Sequence, residues 1–154
     1  MPVATRGERR TTGPLTRPDI GFLVAKASQR WNELLSERFA SRGYGDVRPS
    51  FGSVLVPLFE EDGLRMSTLA LRARLAKQTV TTMVRLVERA GFVERRADPL
   101  DGRATLVFLT RRGRDLEPVA AEVVAEIEEL VARRLGRRRQ EELRTALKGL
   151  STLE

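Results

Sequence analysis

The segment Lys77-Gln78-Thr79-Val80-Thr81-Thr82-Met83-Val84-Arg85-Leu86-Val87-Glu88-Arg89 constrains the fold of this chain more than any other. Val80, Met83, Val84 and Val87 recur at i, i+3, i+4 and i+7, which places them in one apolar stripe on an α-helix. Gln78, Thr81, Thr82, Arg85 and Arg89 repeat nearly the same spacing on the other side, with no carboxylate among them. Amides, hydroxyls and guanidinium groups can donate to base edges and phosphates, and a helix is narrow enough to enter a major groove. A solvated helix face has much the same composition, so the flanking residues have to decide between the two.

Before this helix, Ser67 is placed to cap a short helix through about Leu75, with Leu69, Ala70 and Ala73 inward. Two short helices joined by a tight turn, the second polar outside, form a helix-turn-helix pattern. After it, Gly91 suits a left-handed C-terminal stop. Phe92 to Ala97 and Ala104 to Thr110 then read as two strands, the second with an apolar period of two. The loop Asp98-Pro99-Leu100-Asp101-Gly102-Arg103 joins them, and a hairpin in this position is a wing.

Together these segments resemble the winged-helix domain of the multiple antibiotic resistance regulator (MarR) family of bacterial transcription factors. The resemblance rests on Lys77-Gln78-Thr79-Val80-Thr81 and on Glu88-Arg89-Ala90-Gly91-Phe92-Val93-Glu94-Arg95. Its most specific part is Asp98-Pro99-Leu100-Asp101-Gly102-Arg103 followed by Leu109-Thr110-Arg111-Arg112-Gly113-Arg114. Arg74 stands where many members have a turn glycine, and Ala76 replaces a usual capping polar residue. The resemblance implies a mainly α fold with a small β-hairpin wing, a winged helix-turn-helix at 64–114 carried by long terminal dimerisation helices. It also implies that Asp101 orients Arg103, and that a small aromatic or anionic effector releases the protein from DNA.

Charge agrees with a polyanionic partner. From Arg72 to Arg114 there are eleven Lys/Arg against four Asp/Glu, and the rest of the chain holds seventeen of each, so the net +7 lies in this window. A membrane-surface patch would set bulky apolar residues on the same helix face, which has none. The chain has no cysteine and no histidine, which excludes disulfides, thiol sensing, Cys/His zinc sites and a histidine general base. Glu60, Glu61 and Asp62 cluster, but beside Gly63 they read as a solvated turn, so neither an enzyme nor a cofactor is expected. No run is apolar enough to span a membrane and the N-terminus lacks a signal-peptide core, so the expected location is the cytoplasm, on the nucleoid.

In chain order, residues 1–16 read as a disordered basic arm and 17–154 as a single domain of the resembled type, long enough for a sound core. Pro18 and Asp19 open a first helix whose apolar residues, from Ile20 to Phe39, continue to Gly43. A second helix starts near Pro49 and Ser50, and Pro57 should kink it or leave a carbonyl unpaired. Thr110 can cap a helix carrying Leu116, Val123, Ile127 and Leu135, and Gln140 to Leu150 forms the last one. The helices at 17–43 and 111–154 carry more apolar surface than a small winged domain covers, which predicts a two-fold homodimer.

The expected function is sequence-specific DNA binding at a pseudo-palindromic operator, with repression as the usual output. The alternative is a sequence-tolerant architectural protein without an effector. Gln78, Thr79, Thr81, Thr82 and Arg85 are the candidates for base edges and nearby phosphates, Lys77 for a phosphate, and Ser67 and Thr68 for the DNA backbone. Arg103 is the candidate for a narrow minor groove, and one of Arg95 and Arg96 for facing DNA. Trp31, Phe39, Tyr44, Phe51 and Phe59 are candidates for lining an effector crevice, with Arg30 or Arg38 as anion partners; ordinary core packing is the competing account of each.

Overall fold

In the computed structural model, residues 18–154 are described, so the expected arm at 1–16 lies outside the described residues. Asp19 accepts the Phe22 amide at 2.8 Å and starts helix α1, Ile20–Ser41. Trp31, Leu34 and Leu35 pack against the core and Phe39 is buried in it. Towards its start α1 is bare: Ile20, Leu23 and Val24 are 66%, 53% and 40% exposed. A 3-10 turn, Pro49–Phe51, then leads into α2, Gly52–Glu60. The helix runs on through Pro57, which is itself buried.

Three short elements follow: strand β1, Leu64–Arg65, and the helices α3, Met66–Ala73, and α4, Lys77–Arg89. Arg65 is the N-cap of α3 and no side chain caps it, which corrects the role expected for Ser67. Ser67 falls inside the first turn, and the helix ends at Ala73, before Leu75. The turn between the helices passes through Arg74 at φ 51° and ψ 41°, the left-handed conformation that normally favours glycine. Gly91, at φ 82°, ends α4 as expected, with its amide on Glu88 O and that of Phe92 on Val87 O.

Strands β2, Val93–Asp98, and β3, Asp101–Leu109, form the wing. The sheet has three strands, in the order β1-β3-β2, where two were expected. The addition is β1, which pairs Leu64 with Val107 and Arg65 with Leu106. Two residues are too few to show a period of two, so nothing in the local pattern announces this strand.

Helix α5, Arg111–Leu135, starts at Thr110, whose hydroxyl oxygen accepts the Gly113 amide at 3.1 Å and donates to Gly91 O at 2.6 Å. It continues through Pro118 without a break. Helix α6, Arg137–Leu150, begins before Gln140 because Arg137, Arg138 and Arg139 form its first turn, which an apolar pattern could not reveal. It buries no residue, and Leu143, Leu147 and Leu150 remain 41%, 44% and 40% exposed.

One core joins α2, α3, α4, the sheet and α5 through Leu58, Leu69, Val84, Phe92, Val107, Leu116 and Ile127. Val80, Val84 and Val87 are at most 1% exposed, and at roughly 1.5–3 kcal/mol for each buried side chain they fix which face of α4 turns inward.

Candidate nucleic-acid interface

Because consecutive residues of a helix turn by about 100°, burying the valines of α4 dictates what points out. Gln78, Thr82, Arg85 and Arg89 lie opposite them and are exposed, as are Lys77 and Thr79, while Thr81 is half-buried. Among the described residues, Lys77, Arg85 and Arg89 make no ion pair and no side-chain hydrogen bond. Arg89 therefore extends the candidate face by one turn. Glu88, the carboxylate nearest this face, is engaged by Arg95 of β2, with Nε and Nη2 both 3.0 Å from one of its oxygens. The face of α4 is cationic because its flanking acid is neutralised.

The two threonines refine the expected chemistry. Thr81 donates its hydroxyl to Lys77 O at 2.8 Å and Thr82 to Gln78 O at 3.1 Å. With the donors committed to the backbone four residues back, each side chain offers an acceptor oxygen and a methyl group. Those suit an exocyclic amine of adenine or cytosine and the methyl of thymine. Gln78, Arg85 and Arg89, with Lys77 at the helix start, are then the side chains of this face with uncommitted donors. No side chain caps the start of α4, where Ala76 is the N-cap, so its first amides stay available to an anion beside Lys77. Ser67 is exposed and Thr68 half-buried in the first turn of α3, which also lacks a side-chain cap.

In the wing, Arg95 is held by Glu88, while Arg96 pairs with Glu94 and stacks on Phe108, its guanidinium carbon 4.4 Å from the ring centre. Arg103 is exposed and, among the described residues, its guanidinium has no partner. Asp101 does not reach that guanidinium; its carboxylate accepts the Arg103 backbone amide at 3.1 Å. It shapes the turn and leaves the side chain free. Asp98 is the buried charge of the wing, 5% exposed, with Arg65 Nη2 at 2.6 Å and the Leu100 amide at 2.8 Å. The Leu100 amide and the Arg65 guanidinium hold its carboxyl below the usual carboxylate range, against the opposing effect of burial. Neither Arg65 nor this role for Asp98 was legible in the sequence.

The acids at the end of α2 have structural partners. Glu60 and Glu61 pair with Arg72, and Asp62 accepts the Leu109 amide at 2.8 Å. All three acids remain exposed, in keeping with their reading as a solvated turn. Arg112 grips Asp46 with two nitrogens at 2.8 and 2.9 Å and lies over Phe92. That guanidinium lowers the Asp46 pKa, and the contact pins the start of α5 to the loop after α1.

The aromatic effector candidates belong to the core or pack against it. Phe39 and Phe51 are buried in the core, with Phe51 edge-on to Phe92, and Tyr44 packs on the same ring. Trp31 and Phe59 are half-buried against the core. Arg30 pairs with Glu33 and Glu37, and Arg38 with Glu126. An open groove of about 1000 Å³ runs along α1, lined by Ser28, Gln29, Asn32, Glu33 and Ser36 with Pro49 and Ser50, and none of the seven candidates lines it.

Comparison with known proteins agrees with this architecture. Residues 49–105 match the family model described as MarR family. The transcriptional repressor Mb2911 of Mycobacterium bovis is 35% identical over 95 residues, covering 62% of this chain and 68% of the repressor. The regulator TtmR of Methylorubrum extorquens is 38% identical over 64 residues, 42% of this chain and only 33% of TtmR. The crystal structure of a probable transcriptional regulator from Pseudomonas aeruginosa superposes with a TM-score of 0.75 at 30% identity, covering 86% of this chain and 96% of that one. The repressor CouR, solved on a 23-mer DNA duplex, has the same fold, with a TM-score of 0.75 at 24% identity over 86% of this chain and 92% of its own. With its helix-turn-helix, wing and terminal helices in this order, the chain belongs to the MarR family of winged helix-turn-helix transcriptional regulators.

Proposed function

We propose that the protein is a homodimeric, sequence-specific DNA-binding regulator that lays α4 in the major groove and Arg103 in the adjacent minor groove. The observation that carries this reading is the outer face of α4, where Gln78, Arg85 and Arg89 stand free of internal partners opposite fully buried valines. In this reading Gln78 and Arg85 donate to base edges, Thr79, Thr81 and Thr82 contribute acceptors and methyl groups, and Lys77, Ser67 and Thr68 meet phosphates. Arg95 positions α4 against the wing through Glu88, and Arg96 braces the sheet through Phe108. Competition of a promoter fragment against bulk DNA tests the reading: sustained binding in excess bulk DNA is expected, and equal competition would favour a sequence-tolerant architectural protein. If the dimer neutralises about eight phosphates, log K should fall with log salt at a slope near −7.

The exposed leucines of α6 and the bare start of α1 support a second copy as the partner of these helices, and through it a two-fold operator. Sedimentation at micromolar concentration should return twice the 17.3 kDa mass of the chain; a 17.3 kDa species would refute the dimer. An effector would act by binding a non-DNA-competent arrangement more tightly than the competent one, since equal affinity shifts nothing.

A further inference from the structure

The wing carries a brace that sequence patterning does not show. Pairing between β1 and β3 stops at Arg65 opposite Leu106. Beyond that point the wing is a ribbon of β2 and β3 alone, and its ladder is irregular between Ala97 and Asp98. Two-stranded ribbons are marginal by themselves. The Arg65 side chain continues where its strand ends: it reaches from β1 past the middle strand β3 and meets Asp98 on β2 at 2.6 Å. Asp98 in turn accepts the Leu100 amide at 2.8 Å, which fixes the Pro99-Leu100 turn. At this tip Leu100 is 90% exposed, and Arg103 follows with its amide on Asp101. Arg65 is also the N-cap residue of α3, so a single residue starts the helix-turn-helix and grips the wing turn.

We infer that Arg65 is a positioning residue for DNA capture, holding the wing tip and its Arg103 at a fixed place relative to the helix-turn-helix through the buried Asp98. The inference rests on the proposed placement of the wing in a minor groove. Removing the guanidinium leaves a buried carboxylate without its counter-charge, and the ribbon then relaxes towards solvent to rehydrate it. Arg103 loses its preset approach, while α4 keeps its own packing and base preference.

The test uses the full chain and the duplex it prefers in a selection, prepared with A·T-rich and with G·C-rich flanks. Binding is measured for wild type, Arg65→Met, Arg103→Ala and the double variant, and amide exchange at Leu100 and Arg103 is followed without DNA. Arg65→Met should speed exchange at both amides and weaken binding to the A·T-flanked duplex about ten-fold, with a smaller change on G·C flanks and an unchanged preference among central bases. In the Arg103→Ala background the same substitution should change affinity less than about two-fold. Arg65→Lys, which keeps a counter-charge for Asp98, should restore part of the loss. Equal losses in both backgrounds would overturn the inference, as would unchanged amide exchange in Arg65→Met. If the wild-type chain prefers no duplex, the proposed DNA reading fails, and the exchange data still decide whether Arg65 braces the tip.

Discussion

Replacing Gly113 with alanine is expected to cost roughly 3 kcal/mol of folding stability, at the upper end for overpacking a dense site. A Cβ at this position would lie 2.1 Å from the Phe92 carbonyl oxygen and 3.1 Å from the Leu109 side chain. The obstacle is backbone, so no rotamer change relieves it. The start of α5 would have to lift away from the end of β3, breaking the Thr110 amide bond to Phe92 O at 3.0 Å and loosening Arg112 over the Phe92 ring. For a domain of this size the melting temperature should fall by roughly 10 °C. Calorimetry of the variant checks the value, and a melting temperature within a degree or two of wild type would show that α5 does not approach β3 as closely as described.

The second large effect is on recognition. Arg85 is exposed on the outer α4 face and has no internal partner among the described residues. A bidentate guanidinium–guanine contact is worth roughly 1–3 kcal/mol, and a two-fold dimer uses it twice, so Arg85→Ala should cost roughly 2–6 kcal/mol on the preferred duplex. Affinity for scrambled DNA should change far less, because that binding comes from phosphates. The fold should be untouched, since the side chain supports no packing. Titration of both duplexes at one salt concentration measures the ratio, and an unchanged preference would remove Arg85 from the reading set.

Both predictions start from features that could be read in the sequence, and each reads for a physical reason. The valines of α4 repeat with the helix period, and Gly113 sits in a spaced motif whose Thr110 caps a helix. Periodic burial and capping are local, so they leave a mark on neighbouring residues. The ion pairs that organise the interface are not local. Arg65 meets Asp98, Arg95 meets Glu88 and Arg112 meets Asp46 across elements, and no spacing rule distinguishes these arginines from solvated ones. Nor does spacing reveal that the contact between Asp101 and Arg103 runs through the backbone amide. Aromatic residues were ambiguous in another way. Phe39 and Phe51 have the composition of a binding crevice, and the fold uses them as core.

Selection of duplexes from a random pool by the full chain, at about 0.15 M salt where phosphate attraction is screened, decides whether α4 reads DNA sequence. The expected pool is an enriched pseudo-palindrome whose half-sites lie about one helical turn apart, flanked by A·T-rich steps where Arg103 would enter. A pool that emerges without any preferred sequence would contradict that role for α4.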